Sequence, residues 1–247
     1  MSTATVVVGA VLGGPLLAAC SAATVAARGG GVLVGQDAHQ VVDAALMAAK
    51  HAGTVHYVLV SRRGRTTETI TGDAGLSSGR QIVTTSSGTV EAMLVDATAY
   101  VKGDATGLES VLGLTSAVAG KYKDAWISLS RDDEPYLAVV DAVELDHVLA
   151  QVNPSGSLVL LQPARLTRGN ERTVGVKGGL PSPVQGASGS STLYVSTSSP
   201  AVPVRFTGTA GTGSKAVHDE ATFSQWGHAI DLSAPSGAVS YQSLPSQ

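Results

Sequence analysis

The sequence predicts an α+β fold in which one large antiparallel sheet, curled into a half-barrel, carries helices over its concave face. A helical pattern opens the region after residue 37. Two groups of short segments rich in β-branched residues follow, and a stretch with helical patterning separates them. A curled sheet that helices cover on one side can enclose a cavity.

The first element is a helix predicted at residues 40–52. Apolar residues recur along it at helical spacing, and Gly53 is a typical residue to end it. Residues 54–103 then predict five antiparallel strands in a meander. The strands are divided by four pairs of turn-forming residues, Arg63-Gly64, Gly72-Asp73, Ser87-Gly88 and Asp96-Ala97.

Residues 104–148 predict several short helical pieces, with Asp104 as an N-cap and an extended piece at 126–129. The loop at 178–189 is rich in Gly, Ser and Pro. The second group of strands is predicted at 157–162, 173–177, 191–196, 202–207, 221–225 and 230–232. Together with the first group they form the predicted sheet.

The N-terminal region contains a lipobox, Leu17-Ala18-Ala19-Cys20, which follows a short apolar stretch. Small residues before a cleavage point are what signal peptidases require, and the apolar stretch is shorter than the roughly 20 residues of a membrane-spanning helix. We therefore expect a lipoprotein signal peptide at 1–19, a flexible tether at 20–36 and a single domain at 37–247. Residues 1–5 depart from the usual signal peptide because they contain no Lys or Arg.

Cys20 is the only cysteine of the chain, so no intramolecular disulfide can form. Acylation of Cys20 would anchor the protein to the cell membrane on its extracytoplasmic side. The alternative interpretation is a buried cysteine in a cytosolic protein. The formal net charge is −3, which does not favour nucleic acid as a partner.

The motifs that could indicate catalysis are weak. Residues 75–79 match the G-x-S-x-G pattern of serine hydrolases, but a β-like run follows them where a nucleophile elbow needs a helix, so we expect a hairpin loop. The six histidines do not have the spacing of a familiar zinc motif. We expect neither an enzyme nor a cofactor or metal.

Four segments occur in the order found in one known family. They are Tyr100-Val-Lys-Gly-Asp-Ala, Tyr122-Lys-Asp-Ala-Trp-Ile-Ser-Leu, Pro200-Ala-Val-Pro-Val-Arg-Phe and Phe223-Ser-Gln-Trp-Gly-His. With the lipobox, they resemble the LppX/LprG lipoproteins of actinobacteria. The resemblance implies a fold similar to the periplasmic carriers LolA and LolB. It also implies a protein that binds acylated lipids or glycolipids in a cavity and carries them across the cell envelope, without catalytic residues.

The residues expected to line a lipid cavity are apolar residues on the predicted strand faces, namely Tyr57, Leu59, Ile82, Met93, Val95, Leu193, Val195 and Phe206. Each could equally well pack the core. An envelope transporter is a possible further partner. Two other hypotheses are an envelope lipoprotein that uses a collapsed form of the fold as an interaction or scaffolding module, and a hydrolase.

Overall fold

The computed structural model describes residues 33, 35–161, 164–165, 172–181 and 188–245. The predicted signal peptide, Cys20 and nearly all of the predicted tether lie outside these residues. The helices are α1 (Ala38–Ala52), α2 (Ala105–Leu112), α3 (Ser116–Tyr122), α4 (Tyr136–Val143) and α5 (Leu145–Ala150), with short 3-10 turns at Gly213–Lys215 and Tyr241–Ser243.

The described residues form thirteen strands in one sheet. They are β1 (Thr54–Arg63), β2 (Thr66–Gly75), β3 (Gly79–Thr84), β4 (Thr89–Val95), β5 (Thr98–Gly103), β6 (Ile127–Leu129), β7 (Ser155–Leu160), β8 (Ala164–Arg165), β9 (Arg172–Gly179), β10 (Gly189–Ser196), β11 (Pro203–Ala210), β12 (Val217–Ser224) and β13 (Val239–Ser240).

The order of strands across the sheet is β13-β6-β5-β4-β3-β2-β1-β12-β11-β10-β9-β7, and β8 pairs with β9. Every pairing is antiparallel except the one between β13 and β6. The sheet is curled but not closed, and helices cover its concave face. The predicted α+β half-barrel is confirmed, including the meander of five strands from β1 to β5. The turn predicted at Gly72-Asp73 is wrong, because both residues pair within β2 and the chain turns at residues 76–78 instead.

Helix α1 forms where the sequence predicts it because both of its ends are capped. The Asp37 carboxylate accepts from the backbone N–H of Gln40, and the Gln40 side chain accepts from the backbone N–H of Asp37, which completes a capping box. Gly53 ends the helix at φ 80°, in the left-handed conformation that glycine adopts without strain. Ala45 and Ala49 are fully buried against the sheet.

The strand registers decide which side chains share a face. Tyr57 of β1 lies opposite Phe223 of β12 and Gly72 of β2, and all three lie on the helix-covered face. The preceding residue of β1, His56, lies opposite Asp73 and therefore on the convex face. This alternation continues across β3 and β4 through their antiparallel pairing.

Two clusters of buried side chains lie under the sheet. The first, which we name the α1 core, joins α1 and α5 to β1 and β9–β12. The second, which we name the α4 core, joins α2, α3 and α4 to β4, β5 and β6. The two cores meet beneath β1, β2 and β3.

The C-terminal region differs from the prediction. The strand expected at 230–232 is wrong, because residues 225–238 are irregular and lead to β13. The backbone N–H of Gly227 donates to Thr54, and that of Val239 donates to Trp126 beside β6. Backbone hydrogen bonds therefore hold this segment to β1 at its start and to the edge of the sheet at β6 where it ends. Within the described residues, no helix is long and apolar enough to cross a membrane.

Candidate ligand cavity

An apolar cavity of about 120 Å³ lies between the helix-covered face of the sheet and the helices α4 and α5. It lies at the edge of the α1 core that faces the α4 core, since seven of its lining residues belong to or pack against the α1 core and Ala142 packs against the α4 core. Its lining is formed by Tyr57, Leu59, Ile70, Gln81, Ala142, Val148, Gln151, Val152, Ala221 and Phe223. Seven of these ten residues are aliphatic or phenylalanine, so the cavity suits a hydrocarbon group.

Tyr57 joins the sheet to α4 across one side of the cavity. Its hydroxyl oxygen lies 3.0 Å from Gln81 Oε1 and 3.2 Å from the carbonyl oxygen of Ala142, two acceptors that share its single proton. The ring lies over Gly72, where an added Cβ would come within 2.7 Å of ring carbon Cζ. Burial, and secondarily the charge of Asp73, raise the pKa of the Tyr57 hydroxyl well above its usual range. Tyr57 therefore remains a neutral hydrogen-bond donor.

The junction between α4 and α5 is held against the end of β2 and β3. Gly75 pairs with Glu144 in an isolated parallel bridge. A Cβ at Gly79 would overlap the backbone carbonyl oxygen of Val143, so only glycine allows this approach. Because Glu144 has an extended backbone, the helical run predicted near residue 136 divides there into α4 and α5.

The cavity contains no basic side chain, since none of its lining residues is Lys, Arg or His. Just beyond it on the same face, Ser61 lies opposite Glu68 on one side and Asp219 on the other. Burial, and secondarily the negative charge of Asp219, raise the pKa of the Glu68 carboxyl above its usual value. Negative charge therefore exceeds positive charge on this surface, where Arg63 follows Ser61 on the same face of β1.

The predicted cavity residues fall into three groups. Tyr57 and Leu59 line the cavity. Leu193, Val195 and Phe206 lie on the same face of the sheet, where they are buried in the α1 core and do not line the cavity. Their role in binding a lipid stays a prediction.

The third group requires a correction, because Ile82 and Met93 lie on the convex face. Arg80 pairs with both Asp73 and Met93, and Ile82 follows Arg80 on the same side of β3. Val95 falls in the same alternating row at the end of β4 and lines a separate polar cleft. The physical reason is that successive side chains of a strand point to opposite faces of the sheet. A residue next to one that faces the cavity therefore faces away from it.

Most of the lining residues were not among those predicted. Ile70 is the only large apolar residue of β2 and lies opposite Leu59. Its position among polar residues in a predicted strand was the signal that could have identified it. Phe223 lies opposite Tyr57. Val148 and Val152 reach the cavity only because α5 folds back over the sheet, and no local pattern indicates that contact.

Two larger clefts, of about 390 and 250 Å³, lie near the end of β1–β4 where residues 230–232 pass, and are lined mainly by polar groups. The smaller of the two contains His56, whose Nδ1 lies 2.7 Å from Asp73 Oδ1. Within the part of the chain that the structure describes, no group of three or more His, Cys, Asp or Glu side chains could hold a metal ion.

The G-x-S-x-G segment lies in the hairpin that joins β2 to β3, as predicted. The strand β3 follows it, so the strand-to-helix geometry of a nucleophile elbow is absent at this position. Ser77 is exposed in the turn. We therefore assign no nucleophile here.

The fold and the cavity define a class of protein, an open curled antiparallel sheet with helices on its concave face and an apolar cavity beneath them. No protein-family profile and no curated protein sequence matches the chain. Membership of the LppX/LprG family accordingly stays a prediction.

Several solved structures share part of this architecture. An uncharacterized conserved protein from Thermus thermophilus is 12% identical, with a TM-score of 0.42 over 82% of this chain and 97% of that chain. The Pseudomonas aeruginosa MucA/MucB complex gives 12% identity and a TM-score of 0.35 over 76% of this chain and 56% of that chain. A DUF1329 family protein from Desulfovibrio piger ATCC 29098 is 7% identical, with a TM-score of 0.32 over 80% of this chain and 95% of that chain. Likenesses this distant carry no argument about function.

Proposed function

We propose that the protein is a lipid-anchored carrier of the cell envelope, which binds an acyl chain of a lipid or glycolipid and moves it across the envelope. The observation that carries the proposal is the apolar cavity between α5 and the concave face of the sheet. Each methylene that enters such a site contributes roughly 0.8 kcal/mol, so a hydrocarbon chain needs no charged pocket.

A long acyl chain requires the cavity to open. The present volume of about 120 Å³ is below the roughly 150 Å³ of an apolar cavity that holds one benzene molecule. The bridge between Gly75 and Glu144 holds the start of α5, and Leu149 and Val152 are buried at its far end. Loading would therefore require these two side chains to move away from the sheet.

The anchor completes the proposed mechanism. Acyl chains on Cys20 would hold the domain within reach of the membrane that supplies or receives the lipid, on the extracytoplasmic side. An envelope transporter is a candidate protein partner. The proposal includes no catalytic step, cofactor or nucleic acid.

The small cavity favours a second candidate function. A non-catalytic envelope lipoprotein that uses this fold for interaction or scaffolding would have a collapsed cavity, and about 120 Å³ is closer to that state than to a loaded carrier. The two candidates differ in whether the cavity ever holds lipid.

The test compares the full chain with a full-length Cys20→Ser variant that cannot be acylated. Both proteins are purified from cells, extracted with organic solvent and examined by mass spectrometry. We expect the acylated protein in the membrane fraction, the variant released from it, and a stoichiometric non-covalent lipid with each. The variant is the control for the anchor, because lipid that accompanies it cannot come from Cys20.

Two results would count against the proposal. A variant that is reproducibly empty, and that stays empty after incubation with lipid vesicles, supports the scaffold function. A wild-type protein with an intact Met1 and a free Cys20 thiol contradicts acylation of Cys20. Lipid binding in the cavity is then tested separately, by the lipid extracted from the same protein.

A further inference from the structure

One end of the sheet carries a cluster of exposed basic side chains, although the formal net charge of the chain is −3. Arg62, Arg63 and Arg65 lie at the end of β1 and in the turn to β2, and Lys215 lies in the connection from β11 to β12. We name these four cations the basic end. Within the part of the chain that the structure describes, none of the four forms an ion pair or a side-chain hydrogen bond.

The two connections that carry these cations lie side by side. Arg63, the last residue of β1, lies opposite Val217, which begins β12 two residues after Lys215. A Cβ at Gly64 would lie 3.8 Å from the backbone oxygen of Ser214, which is an ordinary van der Waals distance. The four positive charges therefore belong to one patch of the surface.

The carboxylates in the adjacent halves of β2 and β12 do not cancel this charge. Glu68 and Asp219 flank Ser61 on the concave face, where they outnumber Arg63. Glu220 is already engaged in an ion pair. At the end of the strands all four cations are present, so positive charge exceeds negative charge there.

Acidic side chains are concentrated at the opposite end of the sheet. Asp96 lies in the turn between β4 and β5, and the Tyr136 hydroxyl joins this turn to the loop before α4 by a hydrogen bond. That loop contains exposed Asp132 and Glu134, and its one cation is Arg131. The molecule is therefore polarised along its strands, so a negatively charged surface attracts the basic end and repels the other.

The surroundings of the basic end fit an anionic bilayer better than a protein partner. Specific protein interfaces have an apolar core that is enriched in aromatic residues. None of the exposed large apolar side chains of the described residues lies at the basic end, and residues 61–67 and 211–218 contain no Phe, Tyr or Trp. Attraction to anionic head groups requires only positive charge close to the surface.

We propose that the basic end docks onto the anionic head groups of a phospholipid bilayer and orients the domain with the β1–β2 turn toward the membrane. This contact adds to the proposed anchor at Cys20 and does not depend on lipid in the cavity. Leu59 of the cavity lies four residues before Arg63 on the same face of β1, about 13 Å along the strand. Docking therefore turns that side of the cavity toward the bilayer.

The test measures binding to sedimented vesicles with the full-length Cys20→Ser protein, which cannot be acylated. One set of vesicles contains equal parts of phosphatidylcholine and phosphatidylglycerol. The other contains phosphatidylcholine alone and measures the contribution of apolar contacts. The basic-end variant carries Arg62→Gln and Arg65→Gln. Its matched control carries Arg131→Gln and Arg172→Gln, which remove the same charge from exposed positions at the opposite end of the sheet.

We expect the unsubstituted protein to bind the anionic vesicles more tightly than the neutral ones and to lose this preference as the salt concentration rises. The basic-end variant should bind the anionic vesicles about 25-fold more weakly, at about fivefold for each cation, and the neutral vesicles equally well. The control variant should lose less than about twofold, because its charges lie beyond the range of the surface. If the double variant does not fold, Arg65→Gln alone should still give the fivefold loss.

Orientation is measured separately, because the Cys20→Ser protein contains no other cysteine. A spin label attached through Ser214→Cys lies at the basic end, and one attached through Ser77→Cys lies in the exposed turn at the opposite end. On anionic vesicles, the first label should be shielded from a relaxation agent dissolved in the water. The second should stay accessible.

Three results would overturn the inference. The first is equal affinity for anionic and neutral vesicles. The second is an equal loss in the two double variants, which would show a general effect of charge. The third is equal shielding of the two labels, which would show binding without orientation. The carrier function is judged independently of all three, by the lipid extracted from the protein.

Discussion

The α1 core and the α4 core lie under the same sheet but are built from different parts. The α1 core combines the 15-residue α1 with the six-residue α5, and the small side chains Ala45 and Ala49 allow α1 to lie close to Leu193 and Val195. The α4 core uses helices of seven or eight residues. Larger side chains such as Ile127 and Leu129 fill it.

This difference explains where the cavity lies. A long helix covers its part of the sheet continuously, whereas short helices change direction, and α4 ends at Val143 under β3. The cavity occupies the boundary that follows, where Tyr57 and Ala142 are joined by a hydrogen bond. The two cores supply stability, and the imperfect contact between them supplies the candidate site.

The largest expected effect tests whether both cores are closely packed. Leu193→Ala should lower the free energy of unfolding by about 2–5 kcal/mol, because a fully buried leucine leaves a void, and Leu129→Ala should cost a similar amount in the other core. Denaturant unfolding measures both. Leu137→Ala is the control, since Leu137 is 64% exposed on α4 and its loss should change stability by less than about 0.5 kcal/mol. A loss below about 1 kcal/mol for Leu193→Ala alone would show that the α1 core is loosely packed and the α4 core is not.

The next effect concerns the junction between the cores. Gly79→Ala should destabilise the protein by about 1–3 kcal/mol, because the new methyl group overlaps the Val143 carbonyl and forces the end of α4 from the sheet. Gly120→Ala in α3 is the control, since a Cβ there meets no atom within 4 Å. That variant should be as stable as the wild type or more stable by up to about 1 kcal/mol. Equal thermal unfolding of the two variants would contradict the close approach.

A smaller effect concerns the hydrogen bonds at the boundary. Tyr57→Phe should cost about 0.5–1.5 kcal/mol, since Gln81 Oε1 and the Ala142 carbonyl lose their donor. Tyr100→Phe is a matched control on the convex face, because the described structure gives its hydroxyl no hydrogen bond. If both substitutions have the same effect on denaturant unfolding, Tyr57 does not join the two cores.

The smallest effect lies beyond both cores, at Glu68. Its carboxyl pKa is raised in the folded protein, so the folded state holds that proton more tightly, and the resulting stability is present at acidic pH and is lost as the pH rises through the folded-state pKa. Glu68→Gln should therefore be more stable than the wild type at neutral pH, by no more than about 0.5 kcal/mol because solvent screens the site.

The pH dependence supplies the check on that variant. The gain should vanish well below the usual glutamate pKa of about 4.3, where the wild-type carboxyl is protonated in both states. Asp219→Asn should give a gain of the same sign, because the charge of Asp219 contributes to the shift. A neutral-pH loss on Glu68→Gln would show that the carboxylate makes a favourable contact.

Much of the fold was predictable because its signals are local. The glycine that ends α1, the turns at Arg63-Gly64, Ser87-Gly88 and Asp96-Ala97, and the N-cap at Asp104 depend on neighbouring residues only. The site was less predictable. Tyr57 and Leu59 were found from alternation within one strand, whereas Gln81 was missed because polarity removed it from a search for apolar faces.

Most elements and their order follow from local signals in the chain, since helix periodicity, strand alternation and turn chemistry are properties of short segments. The face of β3 that meets the cavity depends instead on contacts between distant strands. Ile82 and Val83 are adjacent apolar residues that satisfy either alternation, and the register with β2 turns Ile82 outward and Gln81 inward. The parallel pairing of β13 with β6 joins Val239 to Ile127, residues far apart in the chain, and no local pattern specifies such a contact.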